Sequence, residues 1–209
     1  MSLVGVIDFE TTGLSPAMGD RATEIAIVLM DGTRVVDRFQ SLMNAGVHLS
    51  PFIEQYTGIS NAMVRSAPPA AQVMAQARRF VQGVPLVAHN AAFDQRFWAA
   101  ETQRLGPDTE DGPAFACTML LSRRLYPQAG SYGLQSLASF HALPVAGRAH
   151  RALADAGVAA ALLARIRDDI RRDYQVEAAP HELLVRLQRT QRKAVPKAIQ
   201  GYLRSLASS

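Results

Sequence analysis

Apolar residues run without interruption from Leu3 to Ile7, which predicts a strand buried on both faces rather than a half-exposed one. The stretch "TEIAIVLMDGTRVVDRFQSLM", residues 23–43, reads as strand, turn and strand, with Asp31-Gly32 as the hairpin signal. "SPFIEQYTGIS" predicts a short helix and a turn. Pro68 and Pro69 then open a helix that runs through Phe80 and closes at Gly83. "VPLVA", residues 84–88, is a second buried strand. It feeds a helix that Asn90 can cap and Gly106 can end. Residues 107–114 are polar and carry proline and glycine, as a loop would. "FACTMLLSRRLYP" and "YGLQSLASFHALP" predict two further helices, and "ALADAGVAAALLARIRDDIRRD" a long Ala/Leu-rich one. An early strand, a hairpin, another strand and then helices imply an α/β domain, a mixed sheet with helices packed on it.

Composition narrows the class. The chain has 209 residues, 48% of them hydrophobic and 19% charged, enough for one sizeable globular domain with an appendage. Asp8 breaks the first apolar run and no basic stretch precedes it, so neither a signal peptide nor a membrane span is expected. A single cysteine, Cys117, cannot form an internal disulfide, which fits a reducing cytoplasm. The net charge of +4 is unevenly placed: from residue 178 on there are six basic residues and one acid, Glu182. A boundary is therefore expected near residues 175–180, with a domain over 1–175 and a basic helical extension over 176–209. In that extension Leu183, Leu184 and Leu187, with Val185, form an apolar stripe facing Arg186, Arg189 and Lys193. Such a tail suits nucleic acid or an acidic partner, or is a solvated helix face.

Three polar groups interrupt these elements. Asp8 and Glu10 lie two apart on a strand, so they share a face while Phe9 points to the core. Two like charges there need compensation, which a hard divalent cation such as Mg²⁺ or Mn²⁺ supplies; the alternative is a strand end with two solvated acids. Asp94 lies in the first turns of the helix that follows the second buried strand, where an acid also suits the helix dipole. His89 and Asn90 precede it and are candidates to contact phosphate or sugar, the alternative for the histidine being a merely exposed loop position. In "HRALADAG", His150 and Asp155 are five residues apart, about 140° around a helix. For both to serve one site, His150 must sit in a loop just before the helix and Asp155 on its first turns.

The ordered blocks "DFETTG", "HNAAFD" and "HRALAD" resemble the DEDD superfamily of 3′–5′ exonucleases with the ribonuclease H-like fold, over roughly residues 3–168. Arg151 stands where the tyrosine branch has Tyr, so the likeness is to the histidine branch, which includes polymerase III epsilon proofreaders, exonuclease X and ribonuclease T. The resemblance implies a mixed five-stranded sheet flanked by helices. It implies that Asp8, Glu10, Asp94 and Asp155 ligate two divalent cations and that His150 is the general base on the attacking water. An imidazole, with a reference pKa of about 6.5, suits that role near neutral pH. It also implies that Thr11, Thr12 and Gly13 let the backbone approach the terminal nucleotide, with Leu14 supporting its base. The expected activity is release of nucleoside 5′-monophosphates from the 3′ end of DNA, single strands preferred, in proofreading or repair. An RNA 3′-end trimmer and a non-catalytic polymerase-associated subunit are the alternatives. The extension from residue 178 is expected to tether a polymerase or other partner, to track nucleic acid, or simply to pack.

Overall fold

The computed structural model describes residues 3–106 and 115–207; the loop expected at 107–114 lies outside them. Five strands form one sheet in the order β3-β2-β1-β4-β5. β1 (Leu3–Thr11), β2 (Ala22–Asp31) and β3 (Arg34–Leu42) pair antiparallel, and the turn around Gly32, at φ 61°, joins the last two. β4 (Leu86–Ala88) and β5 (Ala116–Cys117) run parallel to β1. This is the mixed five-stranded α/β sheet expected from the sequence.

Nine helices among the described residues complete it: α1 (Pro51–Thr57), α2 (Asn61–Ser66), α3 (Ala70–Phe80), α4 (Ala91–Gln103), α5 (Thr118–Leu125), α6 (Leu134–Phe140), α7 (Ala152–Tyr174), α8 (His181–Arg189) and α9 (Val195–Ala207). The alternation of β1 separates two cores. Val4 and Val6 face α7, whose Ala152, Ala156, Ala159 and Ala160 let the helix lie close on the sheet. Ile7 and Phe9 face the opposite way, into the core made with α3 and α4 through Val73, Met74 and Phe97.

β1 runs past the apolar stretch to Thr11 and carries both acids, as their shared face implied, pairing Asp8 with Ala26 and Glu10 with Glu24 on β2. Elsewhere several boundaries differ from expectation. The segment opening "FACT" begins as the short strand β5 before it turns helical. α2, absent from the sequence reading, starts where the Ser60 hydroxyl accepts from the Met63 amide at 3.2 Å. Asn90 stands at the start of α4 in a left-handed conformation, φ 65°, and its side chain makes no capping bond.

The residues beyond 176 share the α7-side core. Val176, Ala179, Leu183, Leu184, Leu187, Val195 and Ile199 are all buried in it, so the leucine stripe packs inward. Gln188 docks α8 on the sheet edge: its Oε1 accepts from Cys117 N at 2.6 Å and its Nε2 donates to Phe115 O at 3.0 Å.

Candidate active site

Strand parity places the first two acids. Asp8 and Glu10 continue the face of Val4 and Val6, so they emerge on the α7 side where that helix begins. Asp155, in the first turn of α7, meets them there: one carboxylate oxygen from each of Asp8, Glu10 and Asp155 lies within 4.8 Å of the others. Asp94 arrives from the other side of the strand. It is buried in the first turn of α4, and its Oδ1 accepts a hydrogen bond from Phe9 N at 3.2 Å. All four acids are thus gathered around the last residues of β1, three in one cluster and Asp94 against the strand behind it.

The electrostatics are those of buried carboxylates crowded together. Burial pushes the Asp8 carboxyl well above the usual range, and Asp94, Glu10 and Asp155 push it further. Glu10 is raised to about 8, first by burial, then by Asp155 and Glu24, against a lowering pull from Arg151. Asp94 is raised by burial in spite of the amide of Phe9. Asp155 is raised by burial and relieved by His150 and Gln135, whose Nε2 donates to Asp155 Oδ1 at 3.2 Å. Hard oxygen ligands that are costly to ionise together are the donor set a divalent cation stabilises.

His150 sits just ahead of α7, as its spacing from Asp155 required. Its backbone is left-handed, φ 60°, and its amide donates to Asp155 Oδ2 at 2.9 Å. A non-glycine residue in that region is sparsely populated, a small strain that the bond to Asp155 helps maintain. The imidazole stacks on Tyr56 of α1 with ring centroids 3.9 Å apart, and Tyr56 stacks in turn on Phe52 at 5.8 Å.

The other expected contacts divide. Leu14 is 79% exposed beside the cluster-bearing strand. Thr11 Oγ1 donates to Gly13 O at 2.6 Å, and Thr12 Oγ1 accepts from Arg21 N at 3.0 Å, so both hydroxyls already shape their own loop. A Cβ on Gly13 would collide with the Asp20 carboxylate, which also takes the Ser15 amide at 2.9 Å. Gly13 therefore admits Asp20 as well as keeping the loop narrow. His89 departs from expectation: its Nδ1 meets Thr118 Oγ1 at 2.9 Å and its Nε2 meets Tyr132 O at 3.0 Å. With both ring nitrogens engaged and burial lowering its pKa to about 4, it ties β4 to α5 as a neutral ring rather than offering itself to a phosphate. Asn90 is exposed and its side chain remains available.

One residue that the sequence reading passed over completes the site. Glu24, fully buried on β2 opposite Glu10, accepts from Arg151 at Oε1 and Oε2, from Ala152 N at 3.1 Å and from Gln40 Nε2 at 2.7 Å. Burial pushes Glu24 up, but these bonds outweigh it and hold the carboxyl below its ordinary value. The signal was an acid inside the apolar run "TEIAIVLM".

Comparison with known proteins fits this geometry. The exonuclease family RNase_T matches residues 6–163. DNA polymerase III PolC-type of Caldanaerobacter subterraneus subsp. tengcongensis is 36% identical over 161 residues, covering 77% of this chain and 11% of that protein. The 3′-5′ exonuclease DinG of Bacillus subtilis is 36% identical over 169 residues, covering 79% of this chain and 18% of that protein. The chain thus spans less than a fifth of the length of these curated relatives. A solved structure of Exonuclease X in complex with 5′ overhanging duplex DNA superposes with a TM-score of 0.67 at 28% identity, covering 88% of this chain and 99% of that one. Among the described residues no helix is long and apolar enough to cross a membrane.

Proposed function

This chain belongs to the RNase_T exonuclease family, and on that premise we propose that it is a 3′–5′ exonuclease that removes nucleoside 5′-monophosphates from DNA 3′ ends, single strands preferred. The observation that carries the reading is the convergence of Asp8, Glu10 and Asp155 to within 4.8 Å, with Asp94 bonded to the same strand. These are oxygen donors raised by burial and by one another, and Arg151, whose charge pulls Glu10 down, is committed to Glu24. They fit a pair of divalent cations, Mg²⁺ or Mn²⁺, held by Asp8, Glu10, Asp94 and Asp155. The chemistry such cations supply is acidification of the attacking water and neutralisation of charge on the scissile phosphate and leaving oxygen.

The chain's own residues do the rest. His150 accepts the proton of the attacking water at an imidazole nitrogen, and its amide bond to Asp155 keeps it beside the acids. Tyr56 holds the ring at the mouth of the site. Leu14 gives the terminal base an apolar surface, and the narrow Thr11–Gly13 loop and Asn90 approach its sugar and phosphate. All five positions of the constellation are filled, which favours an enzyme over a non-catalytic subunit.

The test is digestion of 3′-end-labelled single- and double-stranded DNA and of RNA, with Mg²⁺, with Mn²⁺ and with chelator. Metal-dependent release of mononucleotides, fastest from single-stranded DNA, is expected. Faster RNA digestion would reassign the substrate, and no digestion of any of them would sink the reading.

A further inference from the structure

The long helix α7 and the C-terminal segment carry their positive charge differently. On α7, Arg165 and Arg172 pair with Asp169 at 2.8 Å, and Arg171 meets Asp168 at 3.5 Å. On the C-terminal segment Arg189, Arg192, Lys193 and Lys197 are exposed and form no ion pair among the described residues. Glu182, the sole acid from residue 178 on, lies two helical turns from Arg189. Cations close together on a short stretch repel one another, and no ion pair among the described residues offsets them.

The fold fixes this stretch rigidly and aims it. Gln188 anchors α8 to β5, Arg124 Nη2 donates to Gln188 O at 3.4 Å, and the turn Arg192–Ala194 packs on α5. α5 carries the band back toward the acids. Arg123 lies 5.8 Å above the ring of Tyr132, whose carbonyl receives His89, and Gln135 at the start of α6 reaches Asp155. Two strand spacings separate β1 from β5, about 10 Å, and α8, whose Gln188 bonds the outer edge of β5, adds about one helix diameter, about 10 Å. A basic margin therefore stands about 20 Å from the acids on the same molecule, reachable by about six stacked nucleotides at 3.4 Å each.

We propose that Arg189, Arg192 and Lys193, continued by Arg123, bind the phosphate backbone of the substrate strand about six nucleotides upstream of its 3′ end. The proposal rests on the exonuclease reading for its polarity, but the surface itself is tested by binding alone. It gives the Arg189–Lys193 stretch a polyanion, rather than an acidic protein, as occupant. Regularly repeating phosphates match a row of solvated cations from two elements, whereas a protein partner would also need apolar contact. The leucines of α8 that could supply such contact are buried in the core.

The experiment compares the full chain with the variant Arg189→Gln/Arg192→Gln/Lys193→Gln, all three positions being exposed and so tolerant of change. Binding of 4- and 20-nucleotide single-stranded DNA is measured by fluorescence anisotropy in chelator, from 50 to 200 mM salt, and cleavage of both is measured with Mn²⁺. The variant is expected to bind the 20-mer about tenfold more weakly, with a salt slope shallower by about 2, at about 0.7 per lost phosphate contact. Cleavage of the 4-mer is expected to be unchanged. Equal 20-mer affinity and equal salt slope in the two proteins would overturn the proposal and leave the surface to an acidic protein. Wild-type binding of the 20-mer without cleavage of either length would instead remove the exonuclease reading while leaving the surface judged by the binding comparison.

Discussion

Arg151 closes on Glu24 with two hydrogen bonds, of 3.0 Å from Nε and 2.9 Å from Nη2, joining positions 127 residues apart in the chain. The pair pins the start of α7 to β2, and the Ala152 amide adds a third tie to the same carboxylate. Asp155 and His150 flank this anchor, so what holds the helix also places both. Glu24→Gln keeps the shape and removes the buried charge that Arg151 needs. Stability is expected to fall by about 2 kcal/mol, the scale of lost hydrogen bonds to a charged group, since the Arg151 left unpaired is partly exposed. Nuclease turnover is expected to fall about tenfold, the usual scale for a residue that supports metal ligands. Thermal melting and single-turnover digestion check the two effects separately.

Metal binding should depend on pH in a direction set by Glu10. Its folded-state pKa of about 8 lies above the ordinary 4.5, so the folded, metal-free protein holds a proton that the unfolded chain releases. Stability of the metal-free form is therefore expected to decline as pH rises from about 4.5 to 8. Cation binding expels that proton, so the gain in melting temperature from Mn²⁺ should be larger at pH 8 than at pH 6. Calorimetry at the two pH values, with and without Mn²⁺, decides it; a larger gain at pH 6 would contradict the assignment of Glu10.

Asp8→Asn should show stability and function in opposition. The wild-type carboxyl is costly to ionise beside Asp94, Glu10 and Asp155, and the amide abolishes that repulsion. The metal-free variant is expected to melt several degrees higher than the wild type, at about 2–4 °C per kcal/mol for a chain of this size. Its activity and its response to Mn²⁺ should both vanish. A variant that is both inactive and less stable would mean that Asp8 holds the strand together rather than a cation.

His150→Asn separates the imidazole from the backbone it rides on. Asparagine tolerates the left-handed conformation and preserves the amide bond to Asp155, but it cannot take the proton. Turnover should drop about 10²–10⁴-fold, while the Mn²⁺-induced rise in melting temperature stays. Loss of that rise would assign His150 to the cation rather than to the water.

The parts of the site that sequence exposed are those governed by local spacing. Asp8 and Glu10 share a face because a strand repeats every two residues, and Asp155 follows His150 at the distance a loop-to-helix step allows. What stayed hidden depends on partners far along the chain. Glu24 went unremarked inside an apolar strand, because only the fold delivers Arg151 to it. His89 looked available for a phosphate until α5 and the loop before α6 claimed both ring nitrogens. β5 was concealed because its two residues, Ala116 and Cys117, run straight into a helix with no turn residue between them. Asn90 has the residue type of a helix cap, but a left-handed backbone turns its side chain away from that duty.

The amide of Gln188 closes the outer edge of β5, standing where a sixth strand would otherwise bond. An open strand edge invites a second chain to add itself, and nature commonly blocks that route with a covering element. A chain cut ahead of α8 would bare the Cys117 amide and the Phe115 carbonyl together with the apolar surface under Leu183, Leu184 and Leu187. Such a fragment would keep every acid of the site and still be prone to stack edge to edge, so the helices after residue 180 guard solubility whatever else they grip.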